Sequence, residues 1–180
     1  MSTRGRISSC LLGITFLLWG GCVSDVPEHV EWDLSDSHLP ADVDWEPRSD
    51  MDGAVIESIE SVRIELPGGH VFEADSDIHD VTLGNEGESL TLVAVEFQPE
   101  SVDDAYKRAL AFAEEWDMST ESLDRWHKRV SDPDDDLTTT GLTQRQDSLD
   151  GPDGPWIVVQ LRPISPETPA LVSFQIQWLK

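Results

Sequence analysis

The sequence predicts an α+β fold: an antiparallel sheet of about five or six strands with two helices packed on one face. Three observations carry that expectation. Short strand-like runs, alternating as in Val62-Ile64-Leu66 or apolar on both faces as in Leu90 to Phe97, recur between Val62 and Phe97, and again after Trp156. Between Ser101 and Val130 they recur instead at spacings of three and four. Strand signals open and close this part of the chain and helix signals sit together between them, an order that suits α+β packing better than alternating βαβ units.

Taken in chain order, Val62, Ile64 and Leu66 alternate with Arg63 and Glu65; "PGGH" then supplies a turn and "VFEA" returns, a β-hairpin signal. Val81 and Leu83 mark a third strand. The turn-rich "GNEGES", Gly84 to Ser89, leads into "LTLVAVEF", Leu90 to Phe97, which is apolar on both faces and is expected at the centre of the sheet. After Pro99, Ser101 with Asp104 three residues on forms a capping-box-like helix start. Val102, Ala105, Ala109, Phe112 and Trp116 give that helix one apolar face. Asp103 to Lys107 and Asp104 to Arg108 are expected pairs on its wet side, since acid four residues before base is the favourable order.

A second helix is expected from Ser119, with Leu123, Trp126 and Val130 inward and Glu121–Arg125 and Asp124–Lys128 as outer pairs. The short link "WDMS" predicts a corner between the helices. Trp116 and Trp126 are expected to anchor the helix–sheet core; an aromatic platform for a ligand is the sharper alternative. Ser131 to Pro155 is polar, aperiodic and rich in acids, proline and glycine, so it is expected as a functional or unstructured loop. "WIVVQLRPI" and "LVSFQIQWL" around "SPETPA" read as a closing hairpin. In its last strand Val172, Phe174, Ile176 and Trp178 alternate with Ser173, Gln175 and Gln177, which predicts one buried face and one wet one.

The N-terminal third has a different character. Arg4 and Arg6 precede an apolar run from Ile7 to Trp19, too short for the roughly 20 residues a membrane-spanning helix needs. Gly20 and Gly21 follow. Charged start, apolar middle and small-residue exit make a secretory signal over residues 1–21. The stretch Trp19-Gly20-Gly21-Cys22 resembles the lipobox of bacterial lipoproteins, although Trp19 stands where that family usually carries an aliphatic residue. The resemblance covers about 25 residues at the start of the chain. It implies that Cys22 becomes the first mature residue, carries a diacylglyceryl group and anchors the protein in the cell membrane on the extracytoplasmic face. Simple secretion and an uncleaved anchor are the alternatives. Cys10 leaves with the signal, so no thiol remains for redox, nucleophilic or metal chemistry.

Residues 22–53 are expected as a lipidated, acidic, flexible tether: Val23 to Asp52 holds three prolines and a single base, Arg48, among many acids. Trp32 and Trp45 do not suit a solvated linker, and one of them is expected to dock on the domain. The folded domain is expected over residues 54–180, with its polar loop at 131–155.

Charge and motifs bound the function. Twelve basic residues face 36 acidic ones, a net charge of −24. Phosphates and anionic headgroups are repelled, which excludes nucleic acid as a partner and holds the domain off the bilayer. The acidity also suits a saline habitat. Asp75 to Glu86, "DSDIHDVTLGNE", superficially matches a calcium loop but places Asp80 where the sharp turn needs glycine. "DPDDD", Asp132 to Asp136, is a solvated acidic run as readily as a cation site. Of His29, His38, His70, His79 and His127, only His70 and His79 with Asp77 are placed to meet, across a hairpin. No catalytic residue, metal or cofactor is expected. The expectation is a cell-envelope lipoprotein acting as a non-enzymatic binding module for an envelope protein. The alternative is a small secreted hydrolase or metal-dependent enzyme with a site built from scattered Asp, Glu and His.

Overall fold

The computed structural model describes residues 29–45, 53–57, 59–132, 141–146, 148–151, 153–162 and 171–178. The fold is α+β. Among the described residues it contains nine strands and two α-helices: β1 (His29–Asp33), β2 (Gly53–Glu57), β3 (Ser61–Leu66), β4 (His70–Ala74), β5 (Ile78–Glu86), β6 (Ser89–Phe97), α1 (Val102–Glu115), α2 (Glu121–Val130), β7 (Leu142–Arg145), β8 (Trp156–Arg162) and β9 (Leu171–Gln177).

Six strands form an antiparallel sheet in the order β2-β5-β6-β9-β8-β7. The run that is apolar on both faces, β6, lies in its interior beside β9. A second sheet, which periodicity did not separate from the first, has the order β1-β3-β4. There β3 and β4 make the expected hairpin, Ile64 opposite Phe72. The two helices lie against the β7–β8–β9 half of the large sheet. The small sheet joins them on the same side, for the Phe72 ring stacks on Phe174 at 4.2 Å. Phe112 of α1 packs against Phe72, Phe97 and Phe174 at 5.2–5.9 Å between ring centres. One aromatic cluster therefore ties both sheets to α1.

Helix α1 starts as its sequence requires: the Ser101 Oγ accepts from the Asp104 N–H at 3.1 Å, satisfying an otherwise orphan donor. It ends at Trp116, and Asp117 turns the chain with φ 51°. Trp116 and Trp126 are buried in the core. Of the predicted surface pairs, Glu121–Arg125 forms, at 2.7 Å. The other three give way to partners from elsewhere in the fold. Arg108 donates to Asp77 at 2.8 Å, Asp103 meets His127 at 2.7 Å, and Asp124 accepts from the Tyr106 hydroxyl at 2.5 Å. Pairs within one helix are worth only a few tenths of a kcal/mol, about 0.2–0.5, so a better-placed tertiary partner displaces them.

Three expectations need correction. The segment expected as tether supplies part of the fold: β1 pairs in parallel with β3, Trp32 opposite Ile64. Val30, Trp32, Leu34 and Val43 are buried, and the Leu90 N–H donates to the His38 carbonyl at 2.8 Å. The alternation Val30-Trp32-Leu34 is a strand pattern hidden inside an acidic average. Residues 22–28 and 46–52 lie outside the described residues.

The polar interruption at 131–155 also carries structure. β7 pairs with β8, Leu149 is buried, and the Leu149 N–H donates to the Pro155 carbonyl at 2.9 Å. Gly154 is fixed there, since a Cβ would lie 1.5 Å from the Leu149 carbonyl oxygen. Residues 133–140, with most of "DPDDD", lie outside the described residues. The third correction concerns the last strand: Ser173 and Gln175, expected in water, are buried at 0% and 8% exposure.

Candidate functional site

Ser173 and Gln175 belong to the face of the large sheet that points away from the helices. Strand register assembles this face in rows. Glu57, Asp80, Glu96, Ser173 and Gln160 lie side by side across β2, β5, β6, β9 and β8. The next row is Val55, Thr82, Ala94, Gln175, Val158 and Arg145, and the third ends in Leu92, Gln177 and Trp156.

The amides in the middle are mutually satisfied. Gln177 Nε2 donates to Gln175 Oε1 at 2.6 Å, and Gln175 Nε2 donates to Gln160 Oε1 at 2.9 Å and to Ser173 Oγ at 3.1 Å. This explains how Ser173 and Gln175 tolerate burial: on a central strand, hemmed in by long neighbours, they exchange water for one another. Beside them the Arg145 guanidinium lies 3.6 Å over the Trp156 ring.

The charged end of the face is less balanced. Arg162 Nη2 donates to Glu96 Oε1 at 2.7 Å, with the Glu96 side chain 8% exposed. Burial pushes the Glu96 carboxyl above its ordinary value; Arg162 pulls the other way, and Asp80 across the ladder adds to the rise. The Asp80 Oδ1 is buried without a hydrogen-bond partner, and its Oδ2 is 4.0 Å from His79 Nε2. In this arrangement the Glu96 carboxyl holds its proton more firmly than an exposed acid does.

The residues weighed from sequence fall elsewhere. Cys22 lies outside the described residues. Asp75 to Glu86 is mostly strand β5 and not a loop. Asp77 is taken by Arg108, and His70 sits 5.8 Å from the Trp116 ring. Among the described residues, no group of three or more His, Cys, Asp or Glu is placed to hold a metal ion. His38 stacks on Trp178 at 4.9 Å, and partial burial lowers its basicity against the opposing pull of Asp42. It borders a surface hollow of about 250 Å³ that Asp36, Asp150 and Asp153 also line. The carboxyl pair Asp80–Glu96 was missed because register, which places the two side by side, is not written in a single strand. Its one sequence signal was a lone acid inside "LTLVAVEF".

No family model, curated protein or solved structure matches the chain. No described helix is long and apolar enough to cross a membrane.

Proposed function

We propose that this chain is a lipid-anchored domain on the extracytoplasmic side of the cell membrane, and that it works by holding a partner macromolecule on its sheet surface. One observation carries the binding part of the reading: the fold spreads its organised polar groups over a sheet face instead of gathering them in an enclosed hollow. Sites for small substrates are concave and bury most of the ligand, whereas a sheet face whose Gln160, Gln177 and Arg145–Trp156 pair stay at least partly exposed around a buried polar centre suits a protein surface. The lipobox-like Trp19-Gly20-Gly21-Cys22 supports the anchored part.

A hydrolytic reading rests on the Asp80–Glu96 pair. Glu96 is tied to Arg162, which commits one carboxylate oxygen of the pair to a fixed partner.

The experiment is cross-linking in whole envelopes from positions on this face, Gln160 and Gln177, against exposed positions on the helices such as Lys128 and Glu114. Adducts of one defined mass from the sheet positions support the reading. Equal labelling from both sides would overturn it, and turnover of an ester or phosphoester that Glu96→Gln abolishes would favour the enzyme.

A further inference from the structure

Among the described residues β2 pairs with β5 alone, so the backbone N–H and C=O groups of its other side have no strand partner among them. Folded proteins usually blunt such edges with charge, proline or brevity. The other described edges do so: β1 carries Glu31 and Asp33, β4 carries Glu73, and β7 has four residues ending in Arg145. β2 reads Gly-Ala-Val-Ile before its single charge, Glu57. Gly53 seats it closely on β5, since a Cβ there would lie 2.5 Å from the Leu83 carbonyl oxygen. At its centre Val55 is 59% exposed, more than any other large apolar side chain described.

Charge says what such an edge accepts. Glu57 heads the row that continues into Asp80 and Glu96, and Arg162 balances that row only at its far end. Glu57 forms no ion pair with a described residue, and Asp80 beside it keeps a buried oxygen without a donor. A second copy of a chain of net charge −24 would be repelled, while a basic chain would be drawn in.

We propose that β2 receives an extended segment of a basic partner polypeptide as a seventh strand, with an apolar side chain on Val55 and a lysine or arginine beside Glu57. This deepens the binding-module reading and rests on it. Main-chain hydrogen bonds would supply affinity, and the alternating side chains would supply selection.

The test uses the full-length lipoprotein in non-ionic detergent and three nine-residue peptides. The first has valine and lysine in turn at every second position with threonine between, so that one face offers both; the second is the same peptide with alternate residues N-methylated; the third has glutamate in place of lysine. Binding is read by anisotropy of the labelled peptide, and location by hydrogen–deuterium exchange over residues 53–57. The lysine–valine peptide is expected to bind and to slow exchange there, and the acidic peptide to do neither. N-methylation, which removes strand donors without touching the protein, is expected to weaken binding at least about tenfold, the loss of two or more hydrogen bonds. Val55→Lys is expected to weaken it by a similar factor, and Glu57→Gln about threefold, the size of one cross-strand pair. Binding without slowed exchange at 53–57, equal binding of the N-methylated peptide, or no binding would each overturn the strand addition. A defined cross-linked partner recovered from the sheet face would then leave the parent reading standing.

Discussion

Replacing Trp32 with alanine removes the largest side chain of a strand that composition assigned to a tether. Trp32 is 4% exposed and faces the core beside Ile64. A buried tryptophan hides about 200 Å², and at about 25 cal/mol per Å² that is about 5 kcal/mol. Measured losses for truncating buried tryptophan run at about 3–5 kcal/mol, so about 4 kcal/mol is expected. With a urea slope of about 2 kcal/mol per molar, the unfolding midpoint should fall by about 2 M. Domains of this kind have only about 5–15 kcal/mol in hand. A chain starting at Ala54 would lose Val30, Leu34 and Val43 from the core as well, and leave β3 without a partner on one side. It is expected not to fold cooperatively. Urea denaturation followed by tryptophan fluorescence and circular dichroism checks both variants. A Trp32→Ala midpoint within about 0.3 M of the parent, or a folded 54–180 fragment, would refute the argument and restore the tether.

Arg162→Ala should cost about 1 kcal/mol at neutral pH, a modest figure because the guanidinium is half exposed. Glu96 has a raised carboxyl pKa, so its protonated form suits the fold, and the loss should shrink as pH falls through that pKa towards its ordinary 4.5. A loss that stays constant between pH 7 and pH 4 in urea titrations would count against a buried, ionised Glu96. The sign is opposite for His38, whose basicity is lowered by burial: its contribution is present above 6.5 and is lost as the ring is forced to protonate. His38→Phe, which keeps the stack on Trp178, should flatten the acid side of the stability profile below pH 6.5, and an unchanged profile would sink that assignment. Cys22→Ser should shift the protein from the detergent phase to the aqueous phase and abolish a lipid adduct at the mature N-terminus, while Cys10→Ser changes neither. Mass spectrometry that finds an unmodified Cys22 on a correctly cleaved parent protein would leave simple secretion as the answer.

Local information in the sequence was enough to determine the elements whose physics is itself local. The Ser101 cap, the apolar stripe from Val102 to Trp116, the "PGGH" hairpin and the alternation of the last strand each rest on residues within a few positions of one another. Those elements stand close to where periodicity puts them. Three features were decided only in the tertiary structure. The first is membership of the core: Val30, Trp32 and Leu34 are buried because β3 offers them a strand 32 residues away, which an average over an acidic segment conceals. The second is ion pairing, where Asp77 and His127 outcompete the helical neighbours of Arg108 and Asp103. The third is the sheet face itself, since Asp80 meets Glu96, and Gln175 meets Gln160, through register alone. A strand's own sequence says which residues share a side, and only its neighbours say what stands beside them, because cross-strand contacts join positions that no local pattern connects.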